Sequence, residues 1–284
     1  MALPAATISF PSTSIPTFHD CLENSHRILA LLGAGLSAPS NLPTFRGVGN
    51  NRLWQNHDPA KLATPRAFAD DPILAWRFYQ DRRRQALDAQ PNAAHVALAE
   101  LAKHMGNDCC MLSMNIDGLS QRAGHPSDDA GGLLELHGNL FSLKCSNREC
   151  DYVEKDNVDR SLIPEHVPDT EIALPKCPRC SYLLRPDIVW FTEPLSSSVT
   201  QGADRWIAAG PIDLVLVVGT TAQVWPAAGY VDSAIERGAR VAMVDIDRGD
   251  LVPGSGELGL TSRDWFFVGV AADLVPAMLE PILK

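Results

Sequence analysis

Leu31-Leu32-Gly33-Ala34-Gly35-Leu36-Ser37-Ala38-Pro39-Ser40-Asn41-Leu42-Pro43-Thr44-Phe45-Arg46-Gly47 joins an apolar strand to a glycine turn and then to a polar loop. Gly33 and Gly35 admit backbone angles closed to other residues, and their missing side chains let a pyrophosphate approach the amides at the start of the next helix. A Gly-x-Gly pair alone also marks ordinary strand-to-helix turns. Here it is followed by Pro43, Thr44, Phe45 and Arg46, a rigid loop that carries a ring and a fixed positive charge, so the stretch reads as a dinucleotide site.

Outward from this turn, short apolar runs recur at 27–32, 109–114, 214–218 and 240–244, each ending at a polar turn. Continuous apolar runs of this length are the mark of parallel strands buried on both faces. Helical patterns lie between them, for instance at 92–104 and 226–237. The alternation predicts an α/β fold with a Rossmann-like, doubly wound parallel sheet. Two segments break the rhythm. Residues 48–90 are helical and charged, with Asp71 and Pro72 placed as N-cap and first helical residue. Residues 141–184 hold four cysteines and several prolines with little periodicity. The expected organisation is a dinucleotide domain of 20–47, 91–140 and 185–284, a helical insertion at 48–90, and a metal module at 141–184.

The 284 residues are 45% hydrophobic and 20% charged, which suits a globular chain without a membrane span. A net charge of -10 argues against tracking of nucleic-acid phosphates. Residues 1–18 contain no Lys or Arg and are broken by Pro4, Pro11 and Pro16, so they resemble neither a secretory signal nor an arginine-rich presequence. An intracellular monomer is expected, in cytoplasm or nucleus, with the mitochondrion left open.

Cys145 and Cys150 enclose four residues, Cys177 and Cys180 enclose two, and 26 residues separate the pairs. This is zinc-ribbon-like spacing, in which paired thiolates on tight turns offer four soft ligands at tetrahedral geometry. Two disulfides or four buried thiols are the alternatives. Four thiolates fill the coordination shell, so such a zinc is structural and leaves no position for an activated water. Cys109 and Cys110 lie in an apolar strand and read as packing residues.

Further along stand Asn115-Ile116-Asp117-Gly118-Leu119, Leu136-His137-Gly138 and Arg185-Pro186-Asp187-Ile188-Val189-Trp190-Phe191. With the opening loop, and in this order, these motifs resemble the sirtuin family from about Ile28 to the C-terminus. The resemblance implies a lysine deacylase that consumes NAD as a reactant and releases nicotinamide and O-acyl-ADP-ribose. It implies that Gly33, Ala34, Gly35, Ser37, Ala38, Thr44, Phe45 and Arg46 surround the diphosphate and nicotinamide end of NAD. Met114, Asn115, Ile116 and Asp117 would hold the nicotinamide carboxamide and ribose. Gly219, Thr220 and Thr221 would line a second phosphate-ribose turn, Asp245, Ile246 and Asp247 would meet the adenosine ribose, and Ala271 would lie near adenine. The carboxylates at the end of a late strand suit a ribose independently, since each can accept from its hydroxyls.

His137 is the expected base. A histidine titrates near neutrality and can take a proton from a ribose hydroxyl. The other histidines read as structural. Val189, Trp190 and Phe191 form an exposed strand candidate opposite the loop that carries Val224, so an extended acyl-lysine peptide could pair between them. On the helix of 72–87, Trp76, Tyr79 and Arg82 recur at three-residue steps and share one face. Tyr79 and Arg82 match the Tyr-x-x-Arg pair of sirtuins that remove succinyl, malonyl and glutaryl groups, and Ala63 matches the small residue that widens their pocket. A guanidinium fork and a phenol suit a carboxylate.

Departures from the family pattern are Met114 for a usual glutamine, Asn41 and Thr192 for glycines, Asp187 for a common histidine, and Asp245 for an asparagine. Because a thioether is a weak acceptor, Met114 motivates an alternative reading as an NAD or ADP-ribose sensor or scaffold with weakened catalysis.

Overall fold

The computed structural model describes residues 11–44, 53–126, 132–163, 169, 173–247 and 260–283. Its main sheet has six parallel strands: β1 (Ile28–Leu32), β2 (Cys109–Ser113), β3 (Leu133–Glu135), β7 (Leu214–Val218), β8 (Arg240–Asp245) and β9 (Trp265–Val268), in the order β3-β2-β1-β7-β8-β9. A second sheet is antiparallel, with β4 (Gly138–Cys145) between β5 (Val153–Glu154) and β6 (Leu184–Ile188). The helices are α1 (Ile15–Glu23), α2 (Pro59–Leu62), α3 (Pro65–Asp70), α4 (Pro72–Asp88), α5 (Ala93–Met105), α6 (Leu119–Arg122), α7 (Ser197–Ala208), α8 (Ala227–Glu236) and α9 (Ala271–Leu283).

Every residue of β1, β2 and β7 is buried, as strands covered on both faces must be. Side chains alternate between two cores. Ile28, Ala30 and Leu32 face the layer of α1, α5 and α9, where Phe18, Leu98, Leu101 and Met278 pack. Leu29 and Leu31 face α7 and α8, with Ile207, Tyr230 and Val231. Truncating Leu101, which is fully buried, to Ala costs about 2–5 kcal/mol by the usual cavity and transfer terms. The strand order reverses between β1 and β7, so the crevice beyond their carboxyl ends is where a doubly wound sheet binds ligands.

The two insertions share a third core. Trp54, Phe68, Trp76, Phe78 and Tyr79 from the first pack with Leu143, Cys145, Ile163, Leu184 and Trp190 from the other side. The antiparallel sheet reaches past 141–184 at both ends, from Gly138 to Ile188. α4 begins where Asp71 accepts from the Leu74 N–H, with Pro72 as its first residue. Trp76, which shares a face with Tyr79, is wholly buried and donates its indole N–H to the Leu184 carbonyl. Arg83 is also buried and donates to the Leu140 carbonyl and to the carbonyl and side-chain oxygen of Asn157. Burial lowers its pKa to about 10, against the pull of Asp159 and Glu154. Arg84 donates to the Arg160 and Ile163 carbonyls. These arginines rivet the helix to the metal module and form no solvated cationic face.

Candidate functional site

Two glycine turns meet at the reversal point. Gly33 N–H donates to the Val218 carbonyl and Gly35 N–H to that of Gly219, each at 2.9 Å. A Cβ on Gly35 would stand 2.7 Å from the Gly219 Cα, and one on Gly219, at φ +66°, 2.3 Å from the Leu36 nitrogen. The backbones touch where other residues would need side-chain room. β1 is followed by two short 3-10 turns, Ala34–Leu36 and Ala38–Ser40, rather than by the expected helix. Most of the loop amides are spent within these turns, Leu36 N–H on the Gly33 carbonyl and Ser37 N–H on that of Ala34. Thr44 lies at the described edge of the loop; Phe45 and Arg46 lie outside the described residues.

Beside these turns, Asn115 donates through Nδ2 to the Gly33 carbonyl at 2.9 Å and approaches Ser37 Oγ at 3.5 Å. Asp117 accepts from the Leu119 N–H and from Ser37. Burial pushes its pKa up, and those bonds pull the other way. Behind Ser37 stands His95, buried at the third position of α5. The Asn92 N–H donates to His95 Nδ1 at 3.2 Å, which leaves the ring proton on Nε2, 3.3 Å from Ser37 Oγ. Burial holds the His95 pKa down to about 4, so the ring is neutral. Ser37 thus accepts from His95 and turns its own hydrogen toward Asp117. Asn92 also donates to the Leu36 carbonyl and Ser40 Oγ, which ties α5 to the turn. The sequence reading missed His95. Its signal was the Asn92-x-x-His95 capping box beginning a helix next to a glycine turn.

His137 sits between β3 and β4. Gly138, at φ +75°, cannot carry a side chain there, because a Cβ would meet the Asp187 carbonyl oxygen. The ring donates from Nδ1 to the Met114 carbonyl at 3.0 Å, since a carbonyl can only accept, and so keeps its lone pair on Nε2. Burial lowers its pKa, partly offset by that bond. Met114 contributes this backbone oxygen, while its partly buried side chain packs against the α7–α8 core. Ile116 packs at the edge of the third core, and its carbonyl accepts from Leu140.

At the far side, the Thr220 hydroxyl accepts from the Ala222 N–H, and Thr221 follows in the same turn. Asp245 closes β8; burial raises its pKa against the nearby Asp247 and Ile246 amides. Ile246 is 71% exposed and Asp247 is exposed, while Ala271 is buried at the start of α9.

On the third core, Tyr79 stacks on Trp190 at 6.1 Å between ring centroids, and the Arg185 guanidinium carbon lies over the Trp190 ring, 3.3 Å from its centroid. Burial drives the Tyr79 phenol well above its ordinary pKa, so it stays protonated. Arg82 is half-buried and donates to Gln85 Oε1 at 3.1 Å. The strand expected at Val189–Phe191 does not form: β6 ends at Ile188, and Trp190 is 2% exposed because Phe68, Tyr79 and Arg185 enclose it. Val189 N–H donates to the His137 carbonyl and Phe191 N–H to that of Ala63, while the Phe191 ring is half-exposed. The Val224 carbonyl accepts from Ala228.

The sulfurs of Cys145, Cys150, Cys177 and Cys180 all lie within 4.8 Å of one another, with Cys145–Cys180 at 3.3 Å and Cys150–Cys177 at 3.8 Å. Disulfide sulfurs would be bonded at about 2.05 Å. Four thiolates about 2.3 Å from a tetrahedral zinc stand about 3.8 Å apart, so the donor set fits a structural zinc. Burial pushes the Cys109 thiol far up and that of Cys110 to about 12, which keeps both inert in β2.

Residues 33–226 match the model of the Sir2 family. An NAD-dependent protein deacylase of Candida albicans is 38% identical over 305 aligned positions, covering 94% of this chain and 97% of that protein. The crystal structure of a Sir2 homologue in complex with NAD superposes with a TM-score of 0.77 at 32% identity, over 97% of this chain and 96% of that one. A mutant Sir2 homologue in complex with 2'-O-acetyl ADP ribose gives 0.76 at 33% identity, over 95% of each chain. No helix among the described residues is long and apolar enough to cross a membrane. By the family match over most of the chain and the identity to curated relatives along nearly all of it, the chain belongs to the Sir2 family and is an NAD-dependent protein deacylase.

Proposed function

We propose that this deacylase prefers lysines carrying an acidic acyl group, namely succinyl, malonyl or glutaryl, and releases O-acyl-ADP-ribose and nicotinamide. The observation that carries the reading is the state of Arg82. Its two neighbours spend their guanidinium groups on backbone carbonyls of the metal module, whereas Arg82 is half-buried beside Tyr79 and bonds a neutral amide. Burial lowers its pKa, with Asp81 and Tyr79 opposing, yet it stays charged. Among the described residues its side-chain hydrogen bond goes to that amide and Asp81 acts on it only through space, so its remaining donors suit the carboxylate of a ligand. Tyr79 supplies a protonated hydroxyl at the same wall.

When bound, NAD would supply the ADP-ribose that accepts the acyl group, with nicotinamide as leaving group. Its diphosphate and ribose would be held by Gly33, Ala34, Gly35, Ser37, Ala38, Thr44, Phe45 and Arg46 with the Gly219–Thr221 turn, the nicotinamide side by Asn115, Ile116 and Asp117, and the adenosine end by Asp245, Ile246, Asp247 and Ala271. His137 Nε2 would take the proton of a ribose hydroxyl and so ready that oxygen to accept the acyl group. The Met114 carbonyl holds the ring in the tautomer this needs. The acyl-lysine peptide would lie between 189–191 and Val224, with the acyl group running toward Ala63, Tyr79 and Arg82. The protein's place would be inside the cell, acting as a monomer.

Acetyl, succinyl and glutaryl versions of one peptide, assayed side by side with NAD, test the preference. Succinyl or glutaryl turnover should exceed acetyl turnover, with O-succinyl-ADP-ribose seen by mass spectrometry. Arg82→Met should remove that excess and spare deacetylation; an equal loss of both would refute the assignment.

A further inference from the structure

We propose that Gln85 is a positioning residue for acyl-group selection: oriented by Asp81 and Trp54, it holds the Arg82 guanidinium without neutralising it. The inference rests on the acidic acyl reading given above.

Asp81, Arg82 and Gln85 lie on α4 at the three- and four-residue spacings that bring helical side chains together. Asp81 Oδ2 accepts two N–H groups, from Trp54 Nε1 at 2.9 Å and from Gln85 Nε2 at 2.8 Å. A carboxylate can only accept, so the Gln85 amide must turn its NH2 toward Asp81. Its oxygen is then aimed at Arg82 Nη1, 3.1 Å away. The amide orientation is thus decided by a residue that does not touch the guanidinium.

The chemistry of the acceptor matters. An amide oxygen fixes the direction of one Arg82 N–H and leaves the cation's charge and remaining donors to another anion. A carboxylate in its place would close an ion pair, and a substrate would have to break it. The guanidinium is steadied on a second side by Phe78, whose ring centroid lies 5.2 Å from Arg82 Cζ. Phe78 in turn packs edge-on against Trp54, at 5.4 Å and 73°. Trp54 therefore buttresses both supports of Arg82. Holding a long side chain in its binding geometry before substrate arrives lowers the entropy lost on binding.

The test measures kcat and KM on acetyl and succinyl peptides for the full-length wild type, Arg82→Met, Gln85→Leu, Gln85→Glu and Asp81→Asn, with melting temperatures as a folding control. Gln85→Leu should raise KM for the succinyl peptide about tenfold and leave its kcat and the deacetylase reaction within about twofold. Gln85→Glu should cost the succinyl reaction more, because the introduced carboxylate competes for Arg82. Asp81→Asn should act in the same sense and more weakly. If Arg82→Met selectively removes succinyl turnover while both Gln85 variants keep the wild-type succinyl-to-acetyl ratio, the positioning role is overturned and the acidic preference stands. If Gln85→Leu lowers both reactions equally, Gln85 is only structural. If Arg82→Met itself lowers both equally, the acidic reading fails and takes this role with it.

Discussion

His137 Nδ1 lies 3.0 Å from the Met114 carbonyl oxygen, so a backbone atom rather than a side chain fixes the tautomer of the histidine proposed as base. The residue type at 114 can vary without moving that proton. Burial lowers the His137 pKa, so the ring stays a competent base to lower pH than an ordinary histidine. The acid limb of kcat/KM should fall below about pH 6.5. His137→Ala should cut kcat by about 10²- to 10⁴-fold while NAD binding by calorimetry persists. An acid limb well above 6.5 would point to another base.

Beyond that carbonyl, Met114 bears on catalysis only through its thioether. Where the family pattern has a glutamine, this side chain packs against the α7–α8 core. Met114→Gln should restore an oriented amide and raise kcat/KM for NAD by roughly threefold to tenfold, the worth of one net hydrogen bond. An unchanged value with intact folding would show that turnover does not depend on a side-chain contact from this position.

His95 couples the cofactor turn to pH-dependent stability. Its pKa is about 4 folded, against an ordinary value near 6.5. The unfolded chain therefore binds its proton first, and stability is lost as pH falls from about 6.5 to 4. The gap corresponds to about 3 kcal/mol between those limits. His95→Gln keeps the capping box and removes the titration. Urea unfolding at pH 7 and pH 4.5 should show a smaller drop for the variant than for the wild type; parallel drops would assign the effect elsewhere.

Gly219→Ala tests the contact between the two glycine turns. Its Cβ would stand 2.3 Å from the Leu36 nitrogen at a φ of +66°. Both the clash and the backbone angle oppose it, and the combined cost should exceed about 2 kcal/mol. The two turns must separate to fit the methyl group, so KM for NAD should rise as the melting temperature falls. A variant with normal KM and stability would show that the turns can part freely.

What the sequence disclosed follows from which signals are local. β1, β2, β7 and β8 were legible because each is a short apolar run, the pattern that burial on both faces demands. α9 left no clear helical signal because Pro276 and Pro281 lie inside it. The four cysteines announced their cluster by spacing alone. Trp190 misled, because its neighbours Val189 and Phe191 suggest an edge strand while the residues that bury it, Phe68, Tyr79 and Arg185, come from two other parts of the chain. His95 showed only its capping-box spacing, because the partner that gives it a role, Ser37, is 58 residues away. The glycine turn was readable from one stretch, but the His95–Ser37 pair behind it was not.

The cysteine cluster has a reach beyond its own module. Cys145 ends β4, the strand that starts beside His137, and the metal module receives hydrogen bonds from Trp76, Gln80, Arg83 and Arg84 on α4. Loss of the metal should therefore loosen α4 and His137 together, while the six-stranded sheet keeps its own two cores. Purified protein should hold one zinc per chain by elemental analysis. Stripping it with a strong chelator, or making Cys177→Ser, should abolish deacylation and leave parallel-sheet circular dichroism and weakened ADP-ribose binding. Since the four thiolates complete the shell, added zinc should restore activity only by restoring structure, with no shift in the pH profile of the recovered enzyme. Full activity in a zinc-free Cys177→Ser protein would mean that hydrogen bonds alone hold the second lobe in place.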